Sequence, residues 1–306
     1  MRRKTVKLLS LLLIFAMLFT ALATGCGQDT ASKIESLREE AAEQLLEQAK
    51  DRGTTDLNSL ETLNIAKSGI QTGDDFAGDY YEAVCEGIRA NGGVPDKDSY
   101  VSCAYAAITL KALGYDPQNV EGTDLLEMID DYEKMSAEGI EGPVYAIVAS
   151  NYCGHRLDHE ADYMYFIMDA METGNSYSGL LPEIDYNGIA LEALAYYEFL
   201  PEVMVVIDGI FNRIGQTQEE DGSLGETSST ARVVAGLCAM GYDPAMIKLQ
   251  QDAPRPYKSS DRPGRGGGRR RELYDGAALG PQRSALHNAR RNDAKEQSVK
   301  EQSEDV

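Results

Sequence analysis

Apolar residues recur at helical spacing from residue 32 to residue 240, and nowhere between does the chain alternate apolar and polar positions as a half-buried strand would. The first stripe is Ile34, Leu37, Ala41, Leu45 and Ala49, with Glu and Lys on the other faces. It predicts a helix over 32–51 that packs as an outer element. Further apolar runs of helical length fall at 59–70, 79–90, 99–113, 123–135, 143–152, 161–172, 187–199, 201–215 and 228–240. The predicted class is all-α.

These runs repeat as a phrase: a glycine turn, a polar cap, then a helix of small residues. It is written as GGVPDKDSYVSCAYAAITLKAL from Gly92, GPVYAIVASNY from Gly142, GLLPEIDYNGIALEALAYY from Gly179 and GSLGETSSTARVVAGLCAM from Gly222, in steps of 37 to 50 residues. Each step is long enough for one helical hairpin. The helix after the turn is rich in Ala, Val, Ser and Gly, whereas its partner carries longer side chains such as Ile207, Ile210 and Phe211. Small residues let helices crowd together, so the first kind is expected inside and the second outside. The tetrapeptide GYDP closes two of the small-residue helices, with Gly114 and Gly241 expected as C-caps and Pro117 and Pro244 as stops.

The two ends read differently. Arg2, Arg3, Lys4 and Lys7 precede an uncharged apolar run of 16 residues, Leu8 to Ala23, too short for a membrane-spanning helix and suited to a signal peptide over 1–25. The following LATGC, residues 22–26, resembles the lipobox of bacterial lipoproteins, although Ala23 stands where Leu is commonest. Cys26 is then the lipidated first residue of an anchor and N-terminal helix over 26–54. That implies a cell-membrane protein, lipid-anchored on the extracellular face. Ordinary signal cleavage beside an incidental cysteine is the alternative.

Four further cysteines, Cys85, Cys103, Cys153 and Cys238, lie in apolar helical patterns without a CxxC pair and are expected as buried thiols rather than disulfides.

Charge divides the chain again. Between Gly27 and Leu249 there are 13 Lys+Arg against 41 Asp+Glu, a net of −28, which repels nucleic acid and anionic headgroups and leaves a solvated acidic face, ahead of cations or cationic ligands, as the reading of the folded part. From Gln250 the count is 12 against 9, and nine arginines fall between Arg255 and Arg291. Residues 250–306 hold few large apolar groups and are expected to be a disordered basic tail. The switch falls within a repeat, which suggests that the tail is out of frame with the preceding codons. If neither of the other reading frames after codon 249 resumes the repeat, that idea fails.

The segments DSYVSCAYAAITLKALGYDP (98–117), GIEGPVYAIVASNY (139–152), PEIDYNGIALEALAYY (182–197) and QTQEEDGSLGETSSTARVVAGLCAMGYDP (216–244) resemble the α/α toroid of squalene cyclases, protein prenyltransferase β subunits and transcobalamin. They are spread over 98–244 of the toroid assigned to 55–249. Gln218, Gly222, Ser223 and Leu224 look like a degenerate form of that family's Q…GxW repeat, with Leu224 where tryptophan would sit. The resemblance implies an incomplete ring of helical hairpins with an internal ligand, such as a corrinoid in the transcobalamin branch.

The chemistry of the family maps onto few residues here. Class II cyclases protonate an alkene with an aspartate of a DxDD motif; the matching positions are Asp96, Lys97, Asp98 and Ser99, with Ser99 in place of the last aspartate. Asp98 or Ser99 capping the next helix is the competing role, and the one expected of Asp98. The chain has no tryptophan to line a carbocation cavity. Prenyltransferases hold zinc through Asp, Cys and His, but no aspartate two residues before a cysteine opens a helix. The densest group of donors is Cys153, His155, Asp158 and His159, where the two histidines, four apart, could share a helical face. Tyr80, Tyr81, Tyr163, Tyr165, Tyr196 and Tyr197 are candidates to line a cavity, most of them expected in the core. No GxSxG, Walker or HExxH motif occurs. The leading expectation is a lipid-anchored extracellular binding or scaffold protein. A terpenoid cyclase or prenyltransferase is the alternative, and an interaction domain without a small ligand is a third reading.

Overall fold

The computed structural model describes residues 27–52, 59–73, 75–174, 181–220 and 222–242. The signal segment, Cys26, Gly179, Pro244 and the basic tail lie outside them. Among the described residues the regular structure is helical: α1 (Gly27–Arg52), α2 (Ser59–Ser68), α3 (Phe76–Ala90), α4 (Ser102–Ala112), α5 (Leu125–Met128), α6 (Tyr132–Ala137), α7 (Glu141–Cys153), α8 (Glu160–Thr173), α9 (Glu183–Leu194) with a 3-10 turn at Ala195–Tyr197, α10 (Pro201–Thr217) and α11 (Thr227–Ala239). The one β contact is an isolated bridge between Val120 and Thr123. The all-α class expected from periodicity holds.

Two kinds of helix alternate. On α4, α7 and α9 nearly every side chain is buried, from Cys103 to Leu110, Gly142 to Ile147 and Asp185 to Leu191. By contrast, α3 and α10 bury one stripe each, Phe76, Tyr80, Val84 and Ile88 on α3 and Val203, Val206, Ile207, Ile210 and Ile214 on α10. The first kind forms a row in which α2 packs on α4, α4 on α7, α7 on α9 and α9 on α11. The second kind flanks it, with α8 against α7 and α9, and α10 against α9 and α8. At the start, α1 lies on α2 through Leu45, Leu46 and Ala49 against Ile65, with Phe76 in the same cluster.

Glycine sets the closeness of the row. A Cβ on Gly188 would stand 2.6 Å from the Arg232 carbonyl carbon and 2.7 Å from the Val233 nitrogen, and one on Gly236 would stand 2.3 Å from the Gly188 oxygen. So α9 and α11 touch backbone to backbone, which no larger residue permits at either position. Gly142 makes the same kind of contact: its Cβ would meet the Met135 oxygen. That corrects its expected role as a turn; the left-handed turn before α7 is at Gly139, with φ 74°.

The two GYDP phrases build one structure. Gly114 and Gly241 have φ of 91° and 84°. The next amides, of Tyr115 and Tyr242, donate back to Leu110 and Leu237 at 2.9 and 3.0 Å, as in a Schellman cap. The degenerate Q…GxW segment is likewise a tight turn: Gln218 Nε2 donates to the Gly222 carbonyl at 3.2 Å, and buried Leu224 donates its amide to Thr230 Oγ1 at 3.0 Å.

The single helix expected over 123–135 is two. Asp124 caps α5, accepting from the amides of Leu126 and Glu127, and Asp131 caps α6, accepting from Lys134. A second carboxylate able to satisfy free amides makes a new helix start cheaper than a continued one. The cysteines also divide: Cys85 and Cys103 are buried as expected, Cys153 is half-buried and Cys238 is exposed.

Candidate functional site

On each of α4, α7, α9 and α11 an accessible stripe can be traced along the helix. On α4 it runs through Ser102, Tyr105 and Ala112; on α7 through Glu141, Val148 and Tyr152; on α9 through Ile184 and Glu192; on α11 through Ser228, Arg232 and Ala235. These residues recur at intervals of three, four, seven and eight residues, the spacing of one helix face. Residues of these stripes come together in one region of the row. Lys67 of α2 sets its ammonium 4.3 Å from the centre of the Tyr152 ring on α7, although α4 stands between those helices in the row. The charge of Arg232 on α11 acts on Tyr105 of α4, although α7 and α9 stand between those helices in the row.

The centre of this space is polar. Arg232 Nε pairs with Asp185 Oδ2 at 3.1 Å, joining α11 to α9 one turn from the Gly188 contact. The Asp185 side chain is 3% exposed and that of Arg232 is 30% exposed, so the guanidinium lies at the surface of the space and the aspartate behind it. Asp185 Oδ1 is buried without a hydrogen-bond partner. Tyr105 and Tyr145 meet with ring centroids 4.6 Å apart and planes tilted by 57°. Burial pushes both hydroxyls above the ordinary tyrosine range, with neighbouring acidic groups adding to the effect.

Two further carboxyls complete the group. Glu192 retains accessible surface, yet desolvation by the surrounding protein pushes it up to about 7, with Arg232 pulling the other way. Burial also raises Glu141; Arg232 lowers it, while Glu138 and Asp185 raise it further. Neither has a hydrogen-bond partner among the described residues. A carboxyl that titrates near neutrality beside an arginine and a tyrosine pair can bind a polar or charged group, or exchange a proton with one. Nearby, Asn187 accepts from Arg213 Nε at 2.9 Å, while Arg213 Nη2 is buried with no partner.

The residues singled out from the sequence lie elsewhere. Asp96 and Asp98 are exposed, in the loop before α4. Asp98 does not cap that helix, contrary to expectation: its amide donates to Asp96 Oδ1 at 2.9 Å, and the N-cap position is Val101 without a side-chain cap. Glu138, from the end of α6, supplies the acceptor instead, taking the Tyr100 amide and the Ser99 hydroxyl. The chain before α4 makes 3-10-type bonds from Ser99 and Tyr100, so the helix starts later than the aspartates can reach.

The zinc donors do not fit zinc. Cys153 Sγ lies 3.8 Å from the Ala107 carbonyl oxygen, and His159 Nδ1 lies 3.0 Å from Asp162. α7 ends at Cys153 and α8 begins at Glu160, so His155 and His159 sit in the connection and share no helical face. Among the described residues no three His, Cys, Asp or Glu come together as a metal site.

Of the six tyrosines considered, Tyr80, Tyr163 and Tyr197 are core residues whose hydroxyls donate to Ser59, the Ile129 carbonyl and Glu160. Tyr81 stacks on Tyr115, and Tyr196 is exposed. The tyrosines at the site are Tyr105 and Tyr145. Their signal in the sequence, with Glu141, Glu192 and Arg232, is a large or charged residue standing in a helix of small ones.

No family model, curated protein or solved structure matches this chain.

Proposed function

We propose that this is a ligand-binding protein built on an α/α toroid, with its ligand held against the polar stripes of α4, α7, α9 and α11. One observation carries the reading: Tyr105, Glu141, Tyr145, Asp185, Glu192 and Arg232, from four successive small-residue helices, act on one another in a common space. A core built for stability alone would be better served by apolar residues there, because burying an ion pair and unmatched carboxylates costs more desolvation than their attraction returns. The row of neighbouring small-residue helices, flanked by one-sided helices, is the arrangement a segment of an α/α toroid would have.

With the lipobox-like segment at Cys26, the reading is of a lipid-anchored receptor or carrier facing outward. No helix among the described residues is long and apolar enough to cross a membrane. The cyclase alternative draws no support from Asp96 and Asp98, since an acid that protonates an alkene must be dry and both are exposed.

Thermal denaturation of the full chain with corrinoids, prenyl diphosphates, small glycans and small amines tests the binding reading. One class should raise the melting temperature, and Tyr105→Leu should abolish that rise. A ligand at one hundred times its Kd stabilises by about 2.7 kcal/mol, well within reach of the method. Turnover of a prenyl substrate would replace binding by catalysis as the function. Labelled fatty acid should be incorporated in a bacterial host, and equal labelling of Cys26→Ala would remove the anchor.

A further inference from the structure

The polar space between the small-residue helices has an unequal set of charges. Glu141, Asp185 and Glu192 face one arginine, Arg232, whose Nε is engaged by Asp185 Oδ2 at 3.1 Å. With that pair formed, two carboxylates remain without a partner, and Asp185 still holds a buried oxygen, Oδ1, that nothing satisfies. Asp185 is 2% exposed, so its own field is little screened by water. Beside these charges stands the tilted pair of Tyr105 and Tyr145, with rings 4.6 Å apart.

We propose that this space is a binding site for a small organic ammonium ion, with Glu141 and Glu192 as the counter-charges and the Tyr105 and Tyr145 rings as the wall against which the cation rests. The inference deepens the ligand-binding reading above and depends on it. A positive group there would neutralise carboxyls that burial now disfavours, as shown by the upward displacement of both Glu141 and Glu192.

The chemistry selects among cations and against anions. The carboxylates come from α7 and α9 with tyrosine rings among them, and no three metal-ligating side chains of the described residues converge, which suits a diffuse organic cation better than a chelated metal ion. Among the described residues, the arginine paired within this group is Arg232, already engaged by Asp185, so an anion there would meet three carboxyls. The same strip seats an ammonium on a tyrosine face elsewhere, where Lys67 lies 4.3 Å from the Tyr152 ring centre. That contact is a cation–π interaction made by the protein with itself.

The test is titration calorimetry of the full chain with choline, tetramethylammonium and butylammonium. Choline is paired with its uncharged isostere, in which carbon replaces the quaternary nitrogen. At least one ammonium should bind saturably. The isostere should bind about tenfold or more weakly than choline, because it fills the same volume without the charge. Glu192→Gln should weaken the ammonium by about tenfold and leave the isostere unchanged. Gln has nearly the shape of Glu and replaces a group with no hydrogen-bond partner, so this variant should fold; circular dichroism checks that it does. Equal affinity for choline and its isostere, an unaffected Glu192→Gln, or no saturable heat from any of the three ammonium ions would each overturn the assignment. If a corrinoid, diphosphate or glycan instead protects the chain from heating, and Tyr105→Leu removes that protection, the ammonium class fails while ligand binding in the same space stands. If no class protects, both fail.

Discussion

α9 and α10 are neighbours in sequence and in space, and they are held in opposite ways. α10 begins with Pro201 at its first turn and presents Val203, Val206, Ile207, Ile210 and Ile214 to the interior while Val205 and its polar residues face out. Its stability comes from apolar volume. α9 is buried on nearly every side yet holds Asp185, Asn187 and Gly188, and its closest contact is between its own backbone and that of α11. There the stabilising quantity is proximity, and it depends on an absent side chain. A helix held by volume tolerates polar change on its outer face but not truncation of its inner one. A helix held by proximity tolerates no addition at the contact, and here it carries Asp185 and Asn187 buried into the interior with Arg232 and Arg213 as their partners. The groups proposed to bind a ligand stand on the second kind and its neighbours in the row.

Substitutions can break this contrast in order of size. Ile210→Ala on α10 should destabilise by about 2–5 kcal/mol in urea unfolding, since Ile210 is fully buried and its cavity would be lined by rigid neighbours. Gly188→Ala on α9 should cost about 3 kcal/mol although it only adds a methyl group, because the obstacle is the Arg232–Val233 backbone, which cannot rotate away as a side chain can. A neutral Gly188→Ala would show that α9 and α11 are not held by close approach.

The next effect is on pH dependence. Glu192 in the folded chain titrates at about 7, above its ordinary value. The folded state therefore binds the proton more tightly than the unfolded one, and the Glu192 contribution to stability falls as pH rises through that window. Above about 7 the full penalty applies. Glu192→Gln should remove on the order of 2 kcal/mol of that decline, by the usual ~1.4 kcal/mol per unit of displacement. The tyrosines facing Glu192 do not mask the effect, because burial keeps Tyr105 and Tyr145 neutral across the window. Unfolding at about pH 5 and about pH 8 in both proteins measures it; parallel pH profiles would count against a desolvated Glu192.

Two smaller changes complete the comparison. Gly78 lies on the outer helix α3, where a Cβ would meet nothing closer than the Tyr115 hydroxyl at 4.0 Å. Gly78→Ala should stabilise by up to about 1 kcal/mol, the opposite sign from Gly188→Ala, through helix propensity alone. Asp98→Asn should change stability by less than about 0.5 kcal/mol, because Asp98 is exposed and Glu138 does the work of its expected cap. A loss above 1 kcal/mol would restore Asp98 as a structural residue.

The site was less legible than the fold because a motif search weighs residues by what they are, whereas this site is made by where they stand. Asp96, Asp98, Cys153, His155 and His159 drew notice as recognised chemical types at suggestive spacings. Yet the first two are solvated, and the others fall at the end of α7 and in its connection to α8. Glu192 and Glu141 are ordinary residues in a chain rich in glutamate. What distinguishes them is that each stands in a helix of small residues, where a solvated charge has no evident place.

By itself, the sequence determined that the chain is helical, where its helices fall to within a few residues, and which of them are packed on all sides. Those properties follow from periodicity and side-chain volume, which are local and repeat in each hairpin. It also determined the twin caps at Gly114 and Gly241, because a left-handed residue and the bond to the preceding turn involve only six consecutive residues. Only the tertiary structure decided that Glu138 rather than Asp98 serves the start of α4, and that Tyr105, Glu141, Glu192 and Arg232 come close enough to act on one another. Each of those outcomes depends on groups that the chain separates by tens of residues. The free energy of a carboxylate depends on its distance from other charges and from water, and the fold alone sets both distances.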